Sequence, residues 1–165
     1  MSAMELQYEI EQFYYREALM LDRGQFHEWR ELFTPDARYS VAARQVGSAA
    51  GENIDANQEA PLADDDYDFL ATRIARLDTG MVHATQPASR VRRFVSNVII
   101  VGERPAGLEV LSNLLVFHAR HEESERFFVG QREDRLRRID GAWKVASRKV
   151  MLDHVLLSGL LTFFV

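Results

Sequence analysis

From Val91 to Leu152 apolar and polar residues alternate through four long segments, the period of half-buried antiparallel strands. In the first segment Val91, Arg93, Val95, Asn97 and Ile99 share one parity, and Arg92, Phe94, Ser96 and Val98 the other. Asp140-Gly141, followed by Ala142 to Val145, predicts a tight hairpin, whereas Gly102 to Gly107 and Glu122-Glu123-Ser124 predict looser turns. Ahead of this block the period is helical. Leu6, Ile10, Phe13, Tyr14, Ala18 and Leu21 form a stripe behind a capping box, Ser2-Ala3-Met4-Glu5, and Gly24 predicts the stop. A short second helix turns Phe26, Trp29, Leu32 and Phe33 inward, and Thr34-Pro35-Asp36 predicts a turn into a strand from about Ala37 to Arg44. Gln45 to Ala63 shows no period and reads as a mobile surface loop. Asp64, Asp65 and Asp66 predict the cap of a third helix with the stripe Tyr67, Leu70, Ile74 and Leu77. Arg73 and Arg76 lie toward its C-terminal end, where the helix dipole favours cations, and Gly80 stops it before a connector, Met81 to Ser89.

Helices first and a meander afterwards predict an α+β domain, a cone in which a strongly curved sheet, mixed but mainly antiparallel, wraps the N-terminal helices. A length of 165 residues at 47% hydrophobic content fits a single domain over the whole chain. The net charge of −5 disfavours a nucleic-acid partner, because such a partner needs a basic surface to displace counterions. No apolar run approaches the roughly 20 residues that span a bilayer, and no basic segment leads an apolar one at the N-terminus, so the expectation is a cytoplasmic protein with no membrane partner. With no cysteine the chain supplies neither disulfides nor thiolate ligands nor a cysteine nucleophile.

Candidate chemistry is sparse. His118 and His121 are three apart, which in a strand sets them on opposite faces, and His27, His83 and His154 have no neighbours at ligand spacing, so no metal site is expected. An acid–base set remains conceivable: Asp36 near a strand start, Tyr14 and Tyr15 on the first helix and His118 in mid-strand could meet around a cone's cavity, as in cone-fold isomerases and dehydratases. Against it, Asp36 follows a proline as turn residues do, and Tyr14 belongs to a core stripe. The run Arg132-Glu133-Asp134-Arg135-Leu136-Arg137-Arg138 mixes both signs and splits between the two faces of a strand, which favours cross-strand or intersubunit ion pairs over an anion site. The apolar tail Val155 to Val165 is too short to span a membrane and must pack in its own core or enter a subunit contact.

Taken in order, several motifs resemble the small, or β, subunit of aromatic-ring-hydroxylating (Rieske non-heme iron) dioxygenases. They are Glu9 to Ala18 with Leu21-Asp22, Trp29 and Leu32 to Asp36; Asp65-Asp66-Tyr67 with Arg76-Leu77 and Gly80; Ser89-Arg90 with Arg93 to Val98; Ser112-Asn113 with Ala119-Arg120; Gly130 to Asp134; and Arg148-Lys149-Val150. The resemblance implies a nuclear-transport-factor-like cone and a structural subunit without catalytic, cofactor or metal residues of its own. It implies a trimer within a hexamer of three α and three β subunits, the tail lying at or beside the contacts. The α partner would hold the Rieske [2Fe-2S] cluster and a mononuclear Fe(II), and would cis-dihydroxylate an aromatic compound with electrons from NADH. The alternative is a stand-alone isomerase or dehydratase using Asp36, Tyr14 and His118.

Overall fold

The computed structural model describes residues 2–44, 59–79, 89–120, 124–153 and 164–165. Helix α1 (Ala3–Asp22) begins at the expected capping box: Ser2 Oγ accepts from the Glu5 backbone N–H, and Glu5 returns a carboxylate to the Ser2 N–H. It turns Ile10, Phe13, Tyr14, Glu17 and Leu21 into the core, and Gly24, at φ +71°, follows its end. Helix α2 (Phe26–Arg30) buries Trp29, and helix α3 (Tyr67–Asp78) buries Leu70 and Ile74.

Strands β1 (Phe33–Arg44), β2 (Glu59–Asp66), β3 (Arg90–Arg104), β4 (Gly107–Arg120), β5 (Ser124–Ile139) and β6 (Ala142–Leu152) form one sheet in the order β2-β1-β6-β5-β4-β3. Every pairing is antiparallel except β1 with β6, so the sheet is mixed but mainly antiparallel, and it curls over the helices as a cone. Among the described residues no helix is long and apolar enough to cross a membrane.

Four departures from the expected pattern have local causes. Residues 34–36 lie within β1 rather than before it. Pro35 cannot donate to a ladder, and the chain bows out there, the four residues between Phe33 and Arg38 opposing the single residue between Val145 and Ser147. Residues 59–63 of the expected loop form part of β2, held by backbone pairing to β1 rather than by an apolar pattern; residues 45–58 lie outside the described residues. Only Asp66 caps α3, accepting from the Phe69 N–H at 2.8 Å, while Asp64 and Asp65 stay in the strand and bind Arg38 and Arg73. In β3 the parity breaks at Asn97, which has φ +52° and sits in a bulge where Ser96 to Ile99 oppose Asn113 to Leu111. Asn tolerates the left-handed conformation that this bulge needs. Beyond it Val98 and Ile100 pack on the core and Ile99 faces out; Gln7 Nε2 donates to the Val98 carbonyl at 2.9 Å.

Phe164 and Val165 lie in the chain's own core. Their place is set by the Trp29 ring, 4.6 Å from that of Phe164, and by hydrogen bonds between Val165 and the Tyr39 hydroxyl. For these two residues the first of the two expected places, the chain's own core, is the one observed. The rest of the tail, with His154, and also Gly80, the connector with His83, and His121 to Glu123 lie outside the described residues.

Candidate functional site

The interior of the cone is built from α1, α2 and the inward faces of β4, β5 and β6. Glu17 occupies the apolar face of α1, one turn from Phe13 and Tyr14, and is fully buried. A carboxylate there must find positive partners or neutralise. It finds two, because the strand period turns Arg132 of β5 and Arg148 of β6 to the same side. Arg148 bonds both Glu17 oxygens, Nη1 to Oε1 and Nη2 to Oε2 at 3.0 Å, and grips Asp134 through Nε to Oδ1 at 2.9 Å and Nη2 to Oδ2 at 2.7 Å. Arg132 Nη1 reaches Glu17 Oε2 at 3.3 Å, its Nε donates to Ser112 Oγ at 3.3 Å, and its guanidinium lies 4.9 Å from the centre of the Tyr14 ring. Trp29 Nε1 donates to Glu17 Oε1 at 3.0 Å.

Two carboxylates and two guanidiniums therefore balance in a volume closed to solvent. Burial alone would raise the Glu17 pKa, but the charges of Arg148 and Arg132, with hydrogen bonds from Arg148 and Trp29, outweigh it and hold the carboxyl at about 2. Burial would likewise favour a neutral Arg148, yet Asp134 and Glu17 raise its pKa well above the ordinary value. Burial, and then the charge of Asp134, push the Tyr14 phenol well up, and its Oη makes no hydrogen bond of ordinary geometry even to that nearby carboxylate. Near neutral pH these groups are locked ions and a neutral phenol, not groups poised to exchange protons.

Asp36, Tyr14 and His118 do not converge. Asp36 is on the surface, in a two-oxygen pair with Arg137 Nη1 at 3.1 and 2.9 Å. The Thr34 hydroxyl beside it and that arginine lower its pKa. His118 lies opposite Arg126 on β5, eleven residues from Arg137, which places it roughly 30 Å from Asp36, and its ring rests against Phe128. The acid–base set is thus corrected: Tyr14 lies in the interior, His118 shares the inward parity of Val116 but sits half-buried at the far end of β4, and Asp36 and Tyr15 are exposed. Among the described residues no three His, Asp or Glu side chains gather as a metal site would require.

The expected pairing within Arg132 to Arg138 is observed in detail. Asp134 and Arg148 are direct cross-strand neighbours, as are Arg135 and Glu109, whose ion pair spans 4.0 Å. Arg132 departs from that pattern by reaching a helix. The central role of Glu17 was missed by reading the stripe only for its apolar members. The available signal was a glutamate on the Ile10, Phe13, Tyr14, Leu21 face, opposite a sheet with two inward arginines.

A second buried pair ties α1 to β3. Asp22 accepts from the Arg93 backbone N–H at 3.1 Å and from Arg93 Nη1 at 2.9 Å, and the rest of that guanidinium holds the Phe164 carbonyl at 3.1 and 2.6 Å.

Residues 16–159, which include Glu17, Arg93, Arg132, Asp134 and Arg148, match the family model described as ring hydroxylating beta subunit. The chain belongs to the ring-hydroxylating β-subunit family. It is 36% identical over 160 residues to the 3-phenylpropionate/cinnamic acid dioxygenase subunit beta of Photorhabdus laumondii subsp. laumondii, covering 93% of this chain and 88% of that one. It is 34% identical over 165 residues to the biphenyl 2,3-dioxygenase subunit beta of Rhodococcus jostii, covering 96% and 88%. A solved naphthalene 1,2-dioxygenase with indole bound in the active site has a chain of the same fold, with a TM-score of 0.84 at 23% identity, covering 100% of this chain and 88% of that one.

Proposed function

We propose that this chain, as a single domain, is the structural, non-catalytic β subunit of an aromatic-ring-hydroxylating dioxygenase. It supports α subunits that cis-dihydroxylate an aromatic compound in its catabolism. One observation carries the reading: the interior of the cone is closed by a neutral, fully buried ion cluster whose titratable groups are bound to one another. Together with membership of the β-subunit family this supports a scaffold rather than a proton-transfer enzyme. The absence of cysteine agrees, because a Rieske [2Fe-2S] centre needs two thiolates that must come from the α partner, as must the ligands of the mononuclear Fe(II). In this reading NADH reaches the reaction through further partner proteins. The complex is a cytoplasmic hexamer of three α and three β subunits, the β chains forming a trimer.

The test is purification of the chain alone and with an α subunit from the same organism. Alone, it should carry no stoichiometric iron and turn over no aromatic compound. Co-expressed, it should purify with the α subunit in equal amounts, and that complex should hydroxylate an aromatic ring when supplied with its electron donors. Iron at one per isolated chain, retained through dialysis against a chelator, would overturn the reading.

A further inference from the structure

The buried guanidiniums of the interior are not equally satisfied. Arg148 uses every nitrogen on Glu17 and Asp134, and Arg93 uses every nitrogen on Asp22 and the Phe164 carbonyl. Arg132 is different. Its Nε reaches Ser112 and its Nη1 reaches Glu17, both at 3.3 Å, while Nη2, with two N–H groups to give, bonds no protein atom. The Arg132 side chain is only 2% exposed, so bulk solvent does not reach that nitrogen.

Beside it stands a second orphan. The Tyr14 hydroxyl is fully buried and likewise has no partner of ordinary geometry. The two side chains adjoin, the Arg132 guanidinium lying 4.9 Å from the centre of the Tyr14 ring. Arg30 stacks closely on Tyr67 at 3.6 Å, and the wider spacing at Tyr14 leaves the Arg132 nitrogens uncovered by the ring. A buried donor left unbonded is unfavourable, and two side by side, one of them charged, point to a shared partner.

The surrounding charges select that partner. Glu17, Asp134, Arg132 and Arg148 already balance, so an added anion would face two carboxylates in a dry interior, and an added cation two guanidiniums. A neutral group is required. It must accept from Arg132 Nη2 and from Tyr14 Oη, and it can donate to Asp134, whose two oxygens each take one bond from Arg148 and keep further lone pairs. Asp134 is near enough for its charge to help raise the Tyr14 pKa, which keeps the phenol a donor. Two bonds accepted and one donated make about three, the usual number for a buried water. Tyr14, Ser112, Arg132 and Asp134 are all buried, which disfavours anything larger.

We propose that Tyr14, Arg132 and Asp134 form a binding site for one structural water inside the cone, beside the Glu17 cluster. The water ties α1 to β5 next to the bond between Glu17 and Arg132. The site stands whether the chain serves as a subunit or as an enzyme.

The test is a crystal structure of the full chain at a resolution that shows ordered water, from crystals grown once in chloride and once in bromide. The expected result is a peak within about 3.2 Å of both Tyr14 Oη and Arg132 Nη2, with no anomalous signal there in the bromide crystal. The absence of a peak bonded to both atoms, including a Tyr14 hydroxyl found bonded directly to Asp134, would overturn the proposal. So would an anomalous peak, which marks a halide ion. Thermal unfolding of Tyr14→Phe supplies an independent sign. Removing a buried hydroxyl that has no partner raises Tm, whereas removing one bonded to the water lowers it. A fall in Tm of about 2–6 °C is therefore expected, with far-UV circular dichroism unchanged from the natural protein. An unchanged or raised Tm would overturn the proposal.

Discussion

Four consecutive charged residues of β5, Arg132 to Arg135, divide into two pairs alike in composition and opposite in surroundings. Arg132 and Asp134 turn inward, join Glu17 and Arg148, and have almost no exposed side-chain surface. Glu133 and Arg135 turn outward, and the Arg135 to Glu109 pair spans 4.0 Å with a third or more of each side chain in water. An inward pair, once formed, cannot lose one member without stranding a charge in a dry interior. An outward pair can, because water takes over. The same residue types thus fasten α1 to the sheet on one side, while on the other they remain free to be rearranged when a partner docks.

The largest effect expected from breaking the inner side is that of Arg148→Met. It strips Asp134 of its ion partner and leaves Glu17 with Arg132 and Trp29 alone, and chemical denaturation should show a loss of about 3–5 kcal/mol or no folded protein. Acid comes next. The Glu17 pKa is lowered from an ordinary 4.5 to about 2 in the folded state, so its contribution is complete above the unfolded value and is lost as the pH falls from about 5 toward 2. That contribution is on the order of 3 kcal/mol. Denaturation midpoints measured through that window should fall steeply for the natural protein, and less steeply for Glu17→Gln, which starts from a lower stability. Trp29→Phe removes one donor to Glu17 and some ring volume, and a loss of about 1–3 kcal/mol is expected in the same measurement. On the outer side Glu109→Gln should change the stability of the isolated chain by less than about 0.5 kcal/mol. A loss of several kcal/mol there would end the contrast between the faces.

The helices and the four long strands were legible because each buries one face, and burial of one face writes a period of about 3.6 or 2 into the sequence. Strand β2 was not legible, since its place depends on backbone bonds to β1 and its own residues, Glu59 to Asp66, carry no alternation. The ion cluster was half legible. The inward parity of Arg132 and Asp134 follows from counting along β5, but their partner Glu17 lies 115 residues from Arg132, and only the fold brings α1 over β5 and β6. Asp36 and His118 misled for a related reason: the ends of a strand give no sign of which end of a curved sheet they occupy. Gly130, by contrast, has a reason that the structure supplies. A Cβ there would stand 2.4 Å from the Met151 carbonyl oxygen, closer than any side chain tolerates.

Asn97 acts as a phase shifter. Upstream of it one set of β3 positions faces the helices, and downstream the other set does, so a single extra residue decides which of two adjacent isoleucines is inside. The same residues run straight through as a regular strand, without the bulge, would keep their composition and their count of apolar side chains. They would nevertheless turn Val98 and Ile100 to the outside and Ile99 to the core, and they would move the Val98 carbonyl away from Gln7. In a strand of this kind insertions and deletions change more than substitutions do, because they re-address every later residue at once.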